Sequence, residues 1–481
     1  MAKKKKSSGV SLQVIGGNCE QVTGSSTLVD TGDDMFLIEA GMIQNNHSPV
    51  ETYHENEALV QKLNRKKITK IFVSHLHCDH VGLLCSIYKS HPDVQIIVPK
   101  NSTEILRLME NDSAKIMERD CATINLRMNK HLEPFYTPED VDNMMRNVVE
   151  YSVGERHRLN DTLSFEYIPS GHIFSACQIM FYFKDGGHES KVLYTGDLGN
   201  TVTQDSRVFV EHFQPVKSAD IVLGESTYGV RGRGVTAKDF QNDLAKIKSV
   251  VTQYCIDNHA RVMIPTFSLD RTPYVLWLLY QLFNEDESFT VPIVVDSPLA
   301  IRLLQQYGQL LEGEALEKFD RMMHWKNIEI VVSPEDSMAA VADKRPKVIV
   351  SASGMLTAGR SVKWCQSILP NENDIILLMG YCAPDTLGYK IQNSKEQRTI
   401  NINGKPCKNK ANVMFLRSFS SHMQREQLLE YYSDINCERV YLIHGDKQAK
   451  EELAEDLRVR IDDKLKTTRV VLPNKSTVIH V

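Results

Sequence analysis

The sequence predicts an α/β protein in which a block of alternating helices and strands interrupts a second, strand-rich domain. Three observations predict it. Early in the chain, short apolar strands run straight into loops rich in His, Asp and Glu. From Thr236 the texture changes to regular alternation of helix and strand, the pattern of a parallel sheet covered by helices on both faces. After Asn401, strand-loop units that place ligand-type residues return. The simplest topology is a block inserted into a host domain that closes again afterwards.

Taken in order, Val10 to Ile15, Thr27 to Val29 and Met35 to Gly41 read as strands around the turn QVTGSS. Lys67 to Val73 is a short β-branched run and reads as a buried strand, with a helix starting near Leu83-Leu84 and a strand at Val94 to Val98. Thr103 to Val149 has Leu, Met and Ile at helical spacing, broken at PFYTPEDV. The insert from Thr103 to Glu150 could face a partner, but ordinary helical packing is the stronger reading. SFEYIPSGHIFSACQIMFYF reads as strand, loop and strand with His172 at the tip, and KVLYTGDLGN and DIVLGESTYG repeat the strand-to-loop logic. Helices at Lys238 to Ile256, Thr272 to Phe283 and Leu299 to Tyr307 then alternate with strands at Arg261 to Pro265 and Val291 to Val295. Further strands follow at Ile328 to Val332, Lys347 to Ser351 and Asp374 to Met379. NVMFLRSFSSH, RVYLIHGD, a helix at Gln448 to Asp463 and two closing strands complete the chain. The division expected is a first part of the host at 1–226, the inserted domain at 227–404 and the host's return at 405–481.

The chemistry concentrates in Ser74-His75-Leu76-His77-Cys78-Asp79-His80-Val81-Gly82. His75 and His77 are two apart, so in an extended segment they face one side; Asp79 and His80 come where the chain turns, and can face a second point. Imidazole and carboxylate ligands suit zinc or another divalent first-row metal, and a metal takes three or four of them. Four such side chains split in pairs suggest half of a two-metal site, the rest coming from elsewhere. A His-rich surface loop is the bland alternative, disfavoured because buried unpaired imidazoles and carboxylates are costly. Cys78 fits as a small buried filler. His172 follows Gly171, whose missing Cβ lets the backbone pass close to whatever the histidine binds. Asp197 follows a strand end, where a carboxylate can bridge two ions as no imidazole can.

The apolar and charged fractions are those of a globular chain, and no apolar run is long enough to span a membrane. Ten scattered cysteines without a C-x-x-C pair fit reduced thiols and a cytoplasmic setting. The basic leader Ala2 to Ser8 reads as a disordered, solvated tail that could touch an anion. The net charge of −5 gives no chain-wide pull on a polyanion, so any nucleic acid must be held by a local patch.

HLHCDHVG, SGH, TGD and the late His444 resemble the metallo-β-lactamase fold hydrolases, and QVTGSS agrees. GESTYG, DSPLA, SASGMLTAGR, GYCAPDTLG and FSSH resemble the β-CASP nucleic-acid-processing branch of that superfamily, over nearly the whole chain and in the family's order. The resemblance implies an αββα sandwich interrupted by a β-CASP domain. It implies two Zn²⁺ per chain, one held by His75, His77 and His172, the other by Asp79, His80 and His444, with Asp197 bridging. Glu225 and His422 match the pair that passes a proton to the leaving oxygen, and Asp79 counts among the residues cleavage depends on. The activity implied is endonucleolytic hydrolysis of single-stranded RNA, and His444 favours RNA over DNA, since DNA-specific members tend to have Val there. A homodimer is a further expectation. The family's F-S-A-H-A-D becomes Phe419-Ser420-Ser421-His422-Met423-Gln424, so the acid after the histidine is missing. The extra C-terminal domain of processive relatives and an appended KH-type domain are not expected.

In the inserted domain, Ser353, Gly354 and Thr357 read as the start of a helix whose free N–H groups suit a phosphate, with Arg271, Arg360 and Lys390 nearby to supply charge. A plain turn with surface cations is the competing reading. Three other functions compete: a small-molecule metallo-hydrolase, a DNA nuclease, and a non-catalytic RNA-binding subunit. The β-CASP insertion argues against the first, His444 against the second, and retention of every ligand against the third.

Overall fold

A computed structural model describes residues 9–44, 48–232, 234–384, 386–394 and 398–481. The basic leader lies outside them. The chain divides into two compact units, one of Met1–Thr201, Val210–Gly234 and Ser421–Val481, the other of Val202–Phe209 and Val235–Ser420.

The first unit holds two seven-stranded sheets. One is built around β1 (Ser11–Val14), β2 (Thr27–Asp30), β3 (Met35–Ile38), β4 (Lys70–Phe72), β5 (Gln95–Pro99) and β6 (Val148–Tyr151), in that order, with β22 (Ile479–His480) beside β1. The other runs β21 (Arg469–Val471), β20 (Arg439–Leu442), β11 (Ile221–Gly224), β10 (His188–Tyr194), β9 (Cys177–Asp185), β8 (Leu163–Pro169) and β7 (Arg156–Arg158). Strand alternation explains how they stack. Phe36 and Phe72 of the first sheet meet Phe165 and Phe181 of the second, with ring centroids 5.0–5.7 Å apart. The opposite set on the second sheet, Met180, Leu193, Val222 and Leu442, packs against Leu428 and Tyr432 of the helix Arg425–Asp434 and Leu453 and Leu457 of Lys447–Asp463. The helix Thr103–Met128 packs beside β6 of the first sheet, so helix, two sheets and helix give the αββα order. Val148 and Val149, expected to be helical, form β6 instead, because they pair in parallel with Ile96 and Ile97 of β5.

The second unit is a six-stranded parallel sheet, β14 (Ile328–Ile330), β13 (Ile293–Val295), β15 (Lys347–Ser351), β12 (Arg261–Pro265), β16 (Ile375–Met379) and β19 (Asn412–Leu416), with a hairpin of β17 (Thr399–Ile402) and β18 (Lys405–Lys408). Its strands are near-continuous apolar runs, as a sheet covered on both faces requires. Trp364, Cys365 and Ile368 of the helix Arg360–Ile368 pack on Met263, Ile349 and Ile376.

The division differs from the expected boundaries at 226 and 404. Residues 405–420 go with the insertion because β19 adds to β16 in parallel register, Ile375 opposite Asn412. Residues 202–209 also join it: Arg207 pairs with Asp270 at 2.6 Å, and the Ser206 and Tyr274 hydroxyls lie 2.7 Å apart.

Candidate metal centre

Every ligand-type residue singled out at the metal stretch belongs to the first unit, and the loops that follow strand ends bring them together. β4 delivers His75, His77, Asp79 and His80; β8 delivers His172, β10 Asp197, β11 Glu225 and β20 His444. His77 is extended backbone at the cap of the short helix Cys78–Val81, which carries Asp79 and His80. Gly41 is required beside this loop, since a Cβ there would lie 1.7 Å from the Asp79 carbonyl oxygen. Gly171 has φ +73°, the left-handed region that glycine takes without strain, and it sets His172 at the loop tip.

The ligand atoms form two sets. His77 Nδ1 lies 3.2 Å from both His75 Nε2 and His172 Nε2. Asp197 Oδ2 lies 3.5 Å from both His75 Nε2 and His172 Nε2. Ligands about 2.0–2.1 Å from a tetrahedral zinc sit about 3.3–3.4 Å from one another, so these four atoms have zinc spacing. The second set gathers His80 Nε2 and His444 Nε2, 3.1 Å apart, with Asp79 Oδ2 3.7 Å from the first and 3.4 Å from the second. Asp197 Oδ1 completes it, 3.4 Å from His80 Nε2. The two oxygens of one buried carboxylate thus face different sets, and Oδ1 has no hydrogen-bond partner among the described residues.

Electrostatics fits a cation. Burial holds the His75 imidazole well below its ordinary pKa, and the neighbouring His80 adds to this; His77 is lowered by burial too. Neutral imidazoles are what a metal binds. Asp197 stays ionised well below the usual carboxylate range: burial opposes its charge, but His444, His80 and His75 outweigh it. Around His80 burial opposes the charged form, yet Asp197 and Asp79 raise its pKa well above normal, which marks a place calling for positive charge.

A further layer holds the rings. Ser74 Oγ is 3.0 Å from His75 Nδ1, and Thr227 Oγ1 is 3.0 Å from His444 Nδ1. Glu39 accepts from the Ser74 N–H at 2.8 Å and its other oxygen faces His80 Nδ1 at 3.7 Å. The His444 N–H donates to the Asn18 carbonyl at 2.8 Å. Such partners fix imidazole tautomer and orientation. Sequence reasoning missed Glu39, Ser74, Thr227 and Asn18. The available signals were the carboxylate ending the apolar strand MFLIEAG and the hydroxyl of GESTYG.

Beside the ligands, His422 Nδ1 lies 3.5 Å from Glu225 Oε1 and 3.9 Å from Asp197 Oδ2. Glu225 is anchored by the Leu198 N–H at 2.7 Å and the Thr227 N–H at 3.2 Å. The His422 side chain is 20% exposed whereas those of His75 and His172 are fully buried, so its imidazole is open to a substrate. Burial disfavours its charge, but Glu225 foremost, then Asp197 and Asp79, raise its pKa above the ordinary value. The missing acid after His422 does not displace it, because backbone pairing holds the segment: Gly199 bridges to His422, and the Asn200 N–H donates to the Ser421 carbonyl at 2.9 Å.

The residues expected to grip phosphate in the second unit fare differently. Arg360 donates to Asp296 Oδ1 at 2.6 Å and to the Val331 and Val332 carbonyls at 3.1 and 2.9 Å; it is a half-buried strut. Arg271 is buried and donates to the Met379 carbonyl. The Ser353 hydroxyl accepts from the Thr357 and Ala358 N–H groups at 2.9 and 3.2 Å, and the helix starts only at Arg360. The Thr357 and Ser353 N–H groups are therefore taken up in a turn, with Gly354 against Phe267. Thr357 and Lys390 are exposed.

Comparison with known proteins agrees with this arrangement. Family models match residues 20–159 (metallo-beta-lactamase superfamily), 272–391 (Beta-Casp domain) and 408–473 (Zn-dependent metallo-hydrolase RNA specificity domain). The chain belongs to the β-CASP branch of the metallo-β-lactamase superfamily. This β-CASP protein is accordingly a metal-dependent hydrolase. It is similar to Ribonuclease TTHA0252 of Thermus thermophilus, 26% identical over 455 residues that cover 92% of this chain and 95% of that one. It is also similar to Transcription termination factor FttA of Methanocaldococcus jannaschii, 23% identical over 455 residues, 92% of this chain and 68% of that one. A crystal structure of a protein of unknown function from Enterococcus faecalis shares the fold, with TM-score 0.55, 13% identity, and coverage of 98% of this chain and 100% of that one.

Proposed function

We propose that this β-CASP protein hydrolyses phosphodiester bonds within single-stranded RNA, with two zinc ions per chain. The observation that carries the reading is the division of Asp197, one oxygen in each of two ligand sets. His75, His77, His172 and Asp197 would hold one ion; Asp79, His80, His444 and Asp197 the other. Bound there, zinc lowers the pKa of water toward neutrality and withdraws charge from a phosphate oxygen. The protein's own part is positional and protonic. Ser74, Thr227 and Glu39 keep the imidazoles aimed. His422, protonated beside Glu225, gives its proton to the leaving oxygen as the P–O bond breaks, and Glu225 holds the ring in line. Internal cutting, rather than trimming from an end, is the expectation brought by the resemblance.

The test is metal analysis with cleavage of end-labelled single-stranded RNA, single-stranded DNA and a chromogenic lactam. The expected result is two zinc ions per chain, RNA cut at internal positions, and neither ion tightly retained by Asp197→Ala. One ion per chain, cleavage of the lactam alone, or wild-type cutting by Asp79→Ala would overturn the proposal.

A further inference from the structure

From Arg398 to Arg425 the sequence contains no Asp or Glu, in a chain whose net charge is −5. The stretch opens with the β17–β18 hairpin, whose register pairs Thr399 with Lys408 and Ile402 with Lys405. Ile400 and Ile402 pack into the core of the second unit and fix the hairpin's inner face. Arg398, Lys405, Lys408 and Lys410 are exposed. None of them pairs with a carboxylate among the described residues, unlike the exposed arginines Arg156, Arg231 and Arg345, each held by a Glu or Asp. The helix Leu387–Gln392 packs beside β17 and carries exposed Tyr389 and Lys390. Asn409 Nδ2 ties the hairpin's end to that helix's, donating to the Ser394 carbonyl at 3.0 Å.

Resting on the reading of an RNA-cleaving enzyme, we infer that this hairpin is a binding surface for single-stranded RNA. Its unpaired cations track the phosphates, and Tyr389 offers a face for a base to stack on. A groove of cations with an exposed aromatic ring is what a flexible polyanion with unstacked bases recognises. Like charges left without carboxylates repel one another, and a polyanion relieves that repulsion while releasing its own counterions. Since Arg271 and Arg360 are engaged inside the unit, the hairpin takes over the charge role expected of them.

The test uses the full chain, freed of metal so that RNA is bound but not cut. Fluorescence anisotropy with a labelled single-stranded RNA follows Kd against salt for wild type, for Lys405→Gln/Lys408→Gln/Lys410→Gln and for Tyr389→Ala. Removing three phosphate contacts lowers the slope of log K against log salt by about 2 and weakens binding at low salt by roughly tenfold or more. Tyr389→Ala is expected to lose roughly tenfold with an unchanged slope. Thermal unfolding of both variants stays at the wild-type temperature. If the triple variant matches wild type in affinity and slope while wild type binds and, with zinc, cuts RNA, the hairpin assignment falls and the RNA reading stands. If wild type neither binds nor cuts RNA, both fall, and an acidic protein becomes the better partner for the hairpin.

Discussion

Replacing Arg360 with alanine separates the sequence expectation from the structure. If Arg360 gripped RNA, the loss would appear as weaker binding and a shallower salt slope, with stability unchanged. The structure gives the opposite forecast. Asp296 is fully buried; its Oδ1 accepts from Arg360, and its Oδ2 from Ser337 Oγ and Trp364 Nε1, both at 2.7 Å. Truncation leaves a buried carboxylate oxygen without its counter-charge and withdraws a donor from the Val331 and Val332 carbonyls. Removing one partner of such a pair costs about 3–5 kcal/mol. In a unit of this size each kcal/mol moves the melting temperature by about 2–4 °C, so Arg360→Ala should melt roughly 6–20 °C lower. Calorimetry resolves a shift of that size, and RNA titration well below the transition should return the wild-type salt slope. A melting temperature within a degree of wild type, together with a slope reduced by about 0.7, would show that the guanidinium serves the strand.

The other predictions concern the metal centre and its support. Thr227→Val removes the hydroxyl on His444 Nδ1 and should weaken the second zinc by about 10–100-fold while the first stays, with Thr227→Ser restoring it; metal titration decides, and unchanged affinity for both ions refutes the role. His422→Gln should lower kcat on RNA by about 10²–10⁴ with metal content intact, and a wild-type rate would remove His422 from proton transfer. Burial pushes the Glu110 carboxyl up to about 8, against a smaller downward pull from Tyr136. The folded protein therefore holds a proton that the unfolded chain gives up near pH 4.5, and stability falls as pH rises from about 4.5 to about 8. Glu110→Gln should remove that fall, worth about 4–5 kcal/mol, in denaturant titrations across the range; an unchanged pH profile would place the charge of Glu110 elsewhere.

The candidate ligands were legible because His75 and His444 follow apolar strands, His172 and Asp197 follow glycines, and His77, Asp79 and His80 crowd into the loop after β4. The β12–β16 alternation was legible from local pattern as well. β6 was not, since Val148 and Val149 continue a helical pattern and only the exposed edge of β5 makes them a strand. The pairing of β19 with β16 was not legible either: nothing local in NVMFL says which of two sheets it will join. A cation beside a glycine-rich turn looks alike in sequence whether it faces solvent or, as Arg271 and Arg360 do, the Met379 carbonyl and the buried Asp296. That difference lies in tertiary contacts. Glu39, Ser74 and Thr227 act through other side chains, which leaves only a faint trace in sequence.

His444 reaches the centre from late in the chain and is docked on the carbonyl of Asn18, near its beginning. A ribosome therefore releases most of the ligands long before the one that completes the second set. During translation the growing polypeptide therefore carries the candidate centre half built. On the proposed reading, the second ligand set would wait for the host fold to close around His444, and cleavage would wait with it.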